Sequence, residues 1–137
     1  TPLAKTFAEG KFQPLELEEA VEQAAYVYDK LISNGINVIR IGLQPDDELC
    51  QDGNILAGPF HPSMGELVKS RSLRNQLTPK IASLYNTGTR SITIDCPSKM
   101  LSKLVGLKKC NLEYWSKVFP DMIISIKSGI NDFMRIY

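Results

Sequence analysis

The chain lacks a long hydrophobic run, a clustered set of cysteines and any internal repeat. No apolar stretch approaches the roughly 18–20 residues that a membrane-spanning helix needs. The three cysteines, at positions 50, 96 and 110, match neither a CxxC pair nor a zinc-knuckle spacing, and their odd number argues against a disulfide framework. We recognise no signal or transit peptide, and we therefore expect a reduced, cytoplasmic protein with no membrane partner.

The 137 residues have an ordinary globular composition, with 43% hydrophobic and 23% charged side chains. The formal net charge of +1 conceals a split between the two halves. Residues 1–60 carry 4 basic and 10 acidic side chains, a net charge of −6, whereas residues 61–137 carry 12 basic and 5 acidic ones, a net charge of +7. A polyanion would bind the basic half, although two halves that face each other, or scattered solvating charges, explain the split equally well.

The first half predicts one helix and one strand. Residues 1–14 contain two prolines and a glycine, which indicates a loop or irregular segment. Apolar residues recur every three or four positions over 16–34, which predicts an amphipathic helix with Gly35 as its left-handed terminator. The β-branched run at 36–43 predicts a strand. Helix, short turn and strand together are typical of α/β folds.

The second half follows a turn-rich stretch at 44–62. We expect a helix over 63–77 that restarts at Thr78-Pro79 and ends near Tyr85, because threonine caps helices and proline is tolerated at their first position. The remaining predicted elements are a strand at 90–95, helices at 98–105 and 110–119, and strands at 122–127 and 132–136.

Arg40 and Gln44 share one face of the predicted strand, toward its carboxyl end, because side chains alternate along a strand. Ligands in α/β folds bind at the carboxyl ends of strands, and a guanidinium suits a carboxylate or phosphate. The pair is therefore a candidate substrate or cofactor contact. Pairing of Arg40 with an acidic neighbour in a partly buried interior is an equal alternative.

His61 is the only histidine, and it lies in the proline-bounded stretch at 57–66. An imidazole fixed there could act as an acid, a base or a ligand near neutral pH. Because no nucleophile or second ligand accompanies it in the sequence, we favour a structural histidine whose hydrogen bonds lock the junction of two elements.

Several segments occur in a characteristic order along the chain. They are Thr1-Pro2-Leu3, GKFQPLELEEAV at 10–21, VIRIGLQP at 38–45, AGPFHP at 57–62, Glu66-Leu67-Val68 and Ser70-Arg71. Their order and spacing resemble the carboxyl-terminal part of radical S-adenosylmethionine (SAM) proteins, and in particular a bacterial group similar to the Elongator catalytic subunit or to oxygen-independent coproporphyrinogen oxidases. The resemblance implies that residues 1–57 end a radical SAM barrel with its last helix and strand. Residues 58–137 would then be a carboxyl-terminal extension domain.

The resemblance also implies where the chemistry lies. Radical SAM enzymes hold a [4Fe–4S] cluster on a CxxxCxxC motif, and Cys50, Cys96 and Cys110 do not have that spacing. We therefore expect no cofactor in this chain and expect the parent protein to carry the cluster and SAM. The chain alone would be inactive, with the amino-terminal remainder of the barrel as its partner. It would close the barrel and help to bind substrate through Arg40, Gln44 and His61.

The predicted order over 90–127, strand, helix, turn, helix and strand, is that of a KH-type nucleic-acid module. Its turn, Gly106-Leu107-Lys108-Lys109, resembles the GxxG loop that clamps single-stranded backbone, with Lys109 in place of the second glycine. With Lys103, Lys108 and Lys109 attracting phosphates, the alternative function is an RNA-binding module. A small packing domain that covers the barrel end would have the same element order. The predicted fold class is α/β, or α+β, with a KH-like β-α-α-β core in the extension.

Overall fold

The computed structural model describes residues 1–44, 51, 55–129 and 133–137. Two units make most of their contacts internally, Thr1–Gly65 and Glu66–Tyr137. The predicted boundary between residues 57 and 58, where the implied barrel ends and the extension domain begins, stays a prediction.

Helix α1 spans Pro2–Ala8, so the irregular segment expected at 1–14 is wrong over this range. The Thr1 hydroxyl accepts a hydrogen bond from the Ala4 backbone N–H at 3.3 Å, which makes Thr1 the N-cap. Pro2 stands in the first turn, where its missing N–H has no intrahelical partner to lose. Threonine followed by proline is thus a helix start here rather than a loop signal.

Helix α2 spans Leu17–Ser33, as the apolar periodicity predicts. Gly35 follows it with a φ of +74°, so the predicted left-handed terminator is confirmed. At the other end Glu16 is the N-cap, but its side chain makes no capping hydrogen bond. Val21 and Ala25 on α2 are the buried residues of the first unit among those the structure describes.

Residues 36–44 form no strand, and the strand predicted there, the last strand of the implied barrel, is wrong for this structure. β-branched residues favour extended backbone, but a strand also requires a partner that shares its backbone hydrogen bonds. No described residue supplies such a partner to this segment. Ile36, Ile39 and Leu43 are consequently exposed, and Ile39 keeps 92% of its surface accessible, whereas Val38 and Ile41 are half-buried.

Helix α3 spans Met64–Asn86 without interruption, with Pro79 inside it, so the predicted restart at Thr78-Pro79 is wrong. The Thr78 hydroxyl donates to the Arg74 carbonyl at 2.7 Å and accepts from the Trp115 indole N–H at 2.9 Å. These bonds hold the turn that precedes the proline. The Thr78 hydroxyl, expected to cap a new helix, is thus engaged with the preceding turn and with a tryptophan 37 residues away.

The second unit continues with β1 (Ser91–Pro97), α4 (Ser98–Val105), a 3₁₀ turn (Leu107–Lys109), α5 (Cys110–Val118), β2 (Ile123–Gly129) and β3 (Arg135–Ile136). The sheet order is β2-β1-β3, with β1 parallel to β2 and antiparallel to β3. The predicted helices and strands of this region are confirmed to within a few residues at their ends, and α4 matches its predicted range. Position 132, where the last strand was predicted to begin, lies outside the described residues.

One face of the sheet supplies the core of the second unit. Ile92, Ile94 and Cys96 alternate along β1 and are buried among apolar side chains of the helices. Trp115 on α5 is the largest fully buried side chain. The α+β class is thus confirmed, whereas barrel closure and the KH-like character of the β-α-α-β order stay predictions. No helix of the described residues is long and apolar enough to cross a membrane.

Candidate functional sites

His61 lies at the start of α3 and hydrogen-bonds to that helix. Its Nδ1 accepts from the Ser63 backbone N–H at 3.0 Å, and its carbonyl oxygen accepts from the Met64 N–H at 3.0 Å. The two backbone N–H groups at the helix start are thereby satisfied, as they are in an N-terminal helix cap. These contacts favour the structural role expected for His61, and its role toward a ligand stays a prediction.

His61 also lines a cavity of about 240 Å³ in the first unit. Phe60, Pro59 and Met64 give it a mainly apolar wall. Gly42 is part of the same wall with a φ of +78°, and a β-carbon there would lie 2.9 Å from the Met64 side chain. Glycine is therefore required at position 42 both by its backbone conformation and by the close approach of Met64.

Arg40 and Gln44 are exposed and do not line the His61 cavity. Arg40 instead borders a shallow groove on α2, where its neighbours include Tyr28 and Val38. The three residues predicted to contact substrate or cofactor are therefore not brought together around the cavity that His61 lines. Their predicted contact with a substrate or cofactor stays a prediction.

The turn after α4 is organised by packing. Gly106 is buried with a φ of +81°, and a β-carbon on it would lie 2.6 Å from Cys110 Sγ, 3.0 Å from Ser70 Oγ and 3.2 Å from the Asn111 backbone nitrogen. No other residue fits without displacing these atoms. The glycine of the supposed GxxG loop is thus explained by contacts inside the second unit.

Lys108 and Lys109 follow with positive φ values of +51° and +63°. A left-handed conformation costs a non-glycine residue roughly 1–2 kcal/mol. Lys109 therefore adopts the conformation that glycine would take readily at the position where a GxxG loop has its second glycine. Both side chains are exposed, while Lys103 on α4 is half-buried.

Asn111 anchors this turn, a role that no local sequence pattern indicates. It is 1% exposed, and its Nδ2 lies within hydrogen-bonding distance of four acceptors. These are Ser70 O at 3.1 Å, Ser70 Oγ at 3.0 Å, Lys103 O at 3.3 Å and Leu104 O at 3.0 Å. Asn111 on α5 therefore joins α3 to the carbonyl end of α4.

The described cysteines do not fit a metal or cluster site. Cys96 is buried in the core, where burial and, to a lesser extent, the charge of Asp95 raise the pKa of its thiol. Cys110 is half-buried against Gly106. Within residues 1–44, 51, 55–129 and 133–137, no group of three potential ligands could hold a metal ion. Cys50 lies outside the described residues.

The sheet face opposite the core is open, which the sequence did not indicate. Phe133, Arg135 and Tyr137 are exposed along the edge containing β3. In register across the sheet, Asp95 of β1 lies between Lys127 of β2 and Arg135. The face thus combines exposed aromatic rings with cations.

Comparison with known families gives one match, to a family described as the radical SAM C-terminal domain, over residues 1–74. Searches of curated proteins and of solved structures find no significant match. The matched range covers more than half of the chain and extends into α3, whereas the sheet lies beyond it.

Proposed function

The chain belongs to the family of radical SAM C-terminal domains, and on that premise we propose that it works within a larger radical SAM protein. Residues 1–57 complete the barrel of that protein, whose remaining part is their partner. The [4Fe–4S] cluster and SAM belong to that part, because the described cysteines of this chain do not fit a cluster site. The finer likeness to Elongator-type or coproporphyrinogen-oxidase-type proteins rests on sequence resemblance alone.

The exposed run at 36–43 carries this proposal. Ile39 is 92% exposed, and Ile36 and Leu43 are also exposed. A β-branched run without a strand partner leaves both apolar side chains and backbone polar groups in water, which few proteins tolerate over this length. An adjoining strand would satisfy the backbone of this segment, and the packed barrel would cover its side chains.

Apolar side chains elsewhere in the first unit support the same conclusion. Among its described residues only Val21 and Ala25 are buried, while many large apolar side chains are exposed. They include Leu3, Phe7, Phe12, Leu15, Tyr26, Val27, Ile32 and Leu56. A unit with so small a core of its own gains stability when a neighbour covers these residues.

Within this proposal Arg40, Gln44 and His61 belong near the substrate of the completed protein. Arg40 would bind a carboxylate or phosphate through paired N–H donors. His61 would hold the segment that precedes α3, since its Nδ1 already accepts the Ser63 N–H. RNA binding by the Gly106 turn remains an alternative prediction, and the packing around Gly106 and Asn111 gives it no specific support.

Association with the missing part of the barrel tests the proposal. The reading frame upstream of Thr1 is expected to encode a CxxxCxxC motif, and that region is produced separately with an affinity tag. We expect it to bind the 137-residue chain and expect Ile39→Asp to weaken binding at least 10-fold, because burying an isoleucine contributes about 1.5–3 kcal/mol.

Leu107→Asp is the matched control, because Leu107 is an exposed aliphatic residue outside the matched range. It is expected to leave binding unchanged. An upstream reading frame without the motif, or association that Ile39→Asp does not weaken, would contradict the proposal.

A further inference from the structure

We propose that the open face of the three-stranded sheet binds single-stranded nucleic acid, with Phe133 and Tyr137 stacking on bases and Lys127 and Arg135 contacting phosphates. This inference is independent of the proposed function, because the sheet lies outside the range that matches the radical SAM family. It also concerns a surface different from the Gly106 turn.

The two aromatic rings are the first observation. Phe133 is 55% exposed and Tyr137 is 67% exposed, although both belong to the best-packed unit of the chain. Tyr137 exchanges two backbone hydrogen bonds with Thr93, which fixes its position beside β1. The two positions are four residues apart, a distance of at most about 13 Å for extended chain. Exposed aromatic side chains on a sheet are the platforms on which single-stranded nucleic acids stack their bases.

Arg135 lies between these rings in the chain. Its guanidinium carbon is 4.5 Å from the centre of the Phe133 ring, so the charged group is held by cation–π contact while the side chain stays exposed. A cation beside an aromatic platform can meet the phosphate of a nucleotide whose base stacks on the ring.

The charges of the surrounding face fit a polyanion. Across the sheet Lys127, Asp95 and Arg135 form one row, which has two cations to one carboxylate. Asp95 is half-buried, and one of its carboxylate oxygens is buried beside Gly129, so this carboxylate is less exposed than the two cations that flank it. Residues 66–137 as a whole carry 12 basic and 5 acidic side chains, a net charge of +7.

The row of charged side chains across the sheet argues against another protein as the ligand of this face. A protein that covered the face would remove Lys127, Asp95 and Arg135 from water, and desolvating charges is costly unless each is well paired. Nucleic acid offers flat apolar bases and exposed phosphates together, and both have counterparts on this face. Hydroxyl side chains at Thr93 and Ser125 occupy the adjoining row across the sheet.

Fluorescence anisotropy with the complete 137-residue chain tests the proposal. The probes are fluorescein-labelled oligouridylate and oligothymidylate of about 12 nucleotides, titrated at about 50 and 200 mM salt. We expect both to bind, and more weakly at the higher salt. Phe133→Ala and Tyr137→Ala should each weaken binding about 5- to 150-fold, which corresponds to the loss of one stacked base. Arg135→Gln should lower the slope of log affinity against log salt by about 0.7.

Two controls locate the site. Tyr26→Ala removes an aromatic side chain of similar exposure, 63%, from α2, and it is expected to leave affinity unchanged. The double substitution of Lys108 and Lys109 by alanine probes the Gly106 turn. It should reduce affinity less than Phe133→Ala does. Circular dichroism checks that each variant keeps its fold, which we expect because the substituted side chains are exposed.

Three outcomes would overturn the proposal. The first is no anisotropy change at low salt. The second is affinity that survives Phe133→Ala together with Tyr137→Ala but is lost in the Lys108 and Lys109 variant, which would assign binding to the turn. The third is self-association that the aromatic substitutions dissolve without any effect on the oligonucleotides, which would make the face an interface between copies.

Discussion

Asn111→Ala is the substitution that most directly tests how the second unit is held together. The buried Nδ2 of Asn111 has two hydrogens to donate and lies 3.0–3.3 Å from acceptors on Ser70, Lys103 and Leu104. Alanine would remove both donors, so the carbonyl oxygens of Lys103 and Leu104 at the end of α4 would lose this partner. The substitution therefore removes the hydrogen bonds by which this residue of α5 connects to α3 and to the end of α4.

The loss in the free energy of unfolding can be estimated from the hydrogen bonds that are removed. Each lost hydrogen bond costs about 1 kcal/mol net, and a buried carbonyl left unsatisfied adds about 1–3 kcal/mol. Because two donors are lost, we expect the free energy of unfolding to fall by about 3–5 kcal/mol. At about 4 °C per kcal/mol for a chain of this size, the melting temperature should fall by about 12–20 °C.

Trp115 provides the assay, because it is the only tryptophan and is fully buried in the same unit. Urea and thermal unfolding followed by its fluorescence give the free energy for the second unit. Asn86→Ala, an exposed asparagine of α3, is the control and should change stability by less than about 0.5 kcal/mol. If Asn111→Ala prevents folding, Ser70→Ala removes one acceptor hydroxyl at smaller cost, and the same assay applies. Equal stability of the Asn111 and Asn86 variants would refute the reasoning.

Three further substitutions or reactions test other contacts. Thr78→Val leaves the Trp115 indole N–H without its acceptor. It should lower the free energy of unfolding by about 1–3 kcal/mol in the fluorescence assay, and an unchanged melting curve would contradict this contact. Burial raises the pKa of the Cys96 thiol above its ordinary value of 9.0, so iodoacetamide should modify half-buried Cys110 well before Cys96, and equal rates would contradict the burial. Because this pKa is higher in the folded state, the stabilisation it represents is present below pH 9.0 and is lost as the pH rises through the folded-state pKa. Glu16→Ser supplies the side-chain cap that α2 lacks and should stabilise the first unit by about 0.5–1 kcal/mol in circular-dichroism melts, whereas a loss of stability would exclude serine capping.

Elements of the second unit were predictable because their signals are local. Gly106 ends α4, and the alternation of Ile92 and Ile94 with polar residues marks β1. Gly35 likewise ends α2 in the first unit. In each case the backbone preference of a glycine or the spacing of apolar side chains acts within a few residues.

The wrong predictions depend on context that those signals omit. The run at 36–43 has strand propensity, but strand formation requires another chain segment, and the described residues provide none. Thr78, expected to cap a new helix before Pro79, instead bonds to Arg74 and to Trp115, which lies 37 residues away. At α1 the same two residues, Thr1 and Pro2, suit either a turn or a helix start.

At the candidate sites, too, contacts between residues close in sequence were predictable and contacts between distant residues were not. A structural contact for His61 was expected from its proline-bounded surroundings, and its bond to Ser63 spans two residues. Asn111 was missed because its most distant acceptor is on Ser70, 41 residues away. Nor could the sequence show that Phe133 and Tyr137 lie on an uncovered sheet face, since that depends on where the helices pack.

Hydrogen exchange across residues 37–43 tests most directly whether this chain completes a larger radical SAM protein. In the isolated chain these backbone amides should exchange rapidly, because the segment forms no strand. In the full-length protein they should be protected by at least about 100-fold, since a neighbouring strand would bond them. Equally rapid exchange in the full-length protein would contradict the account.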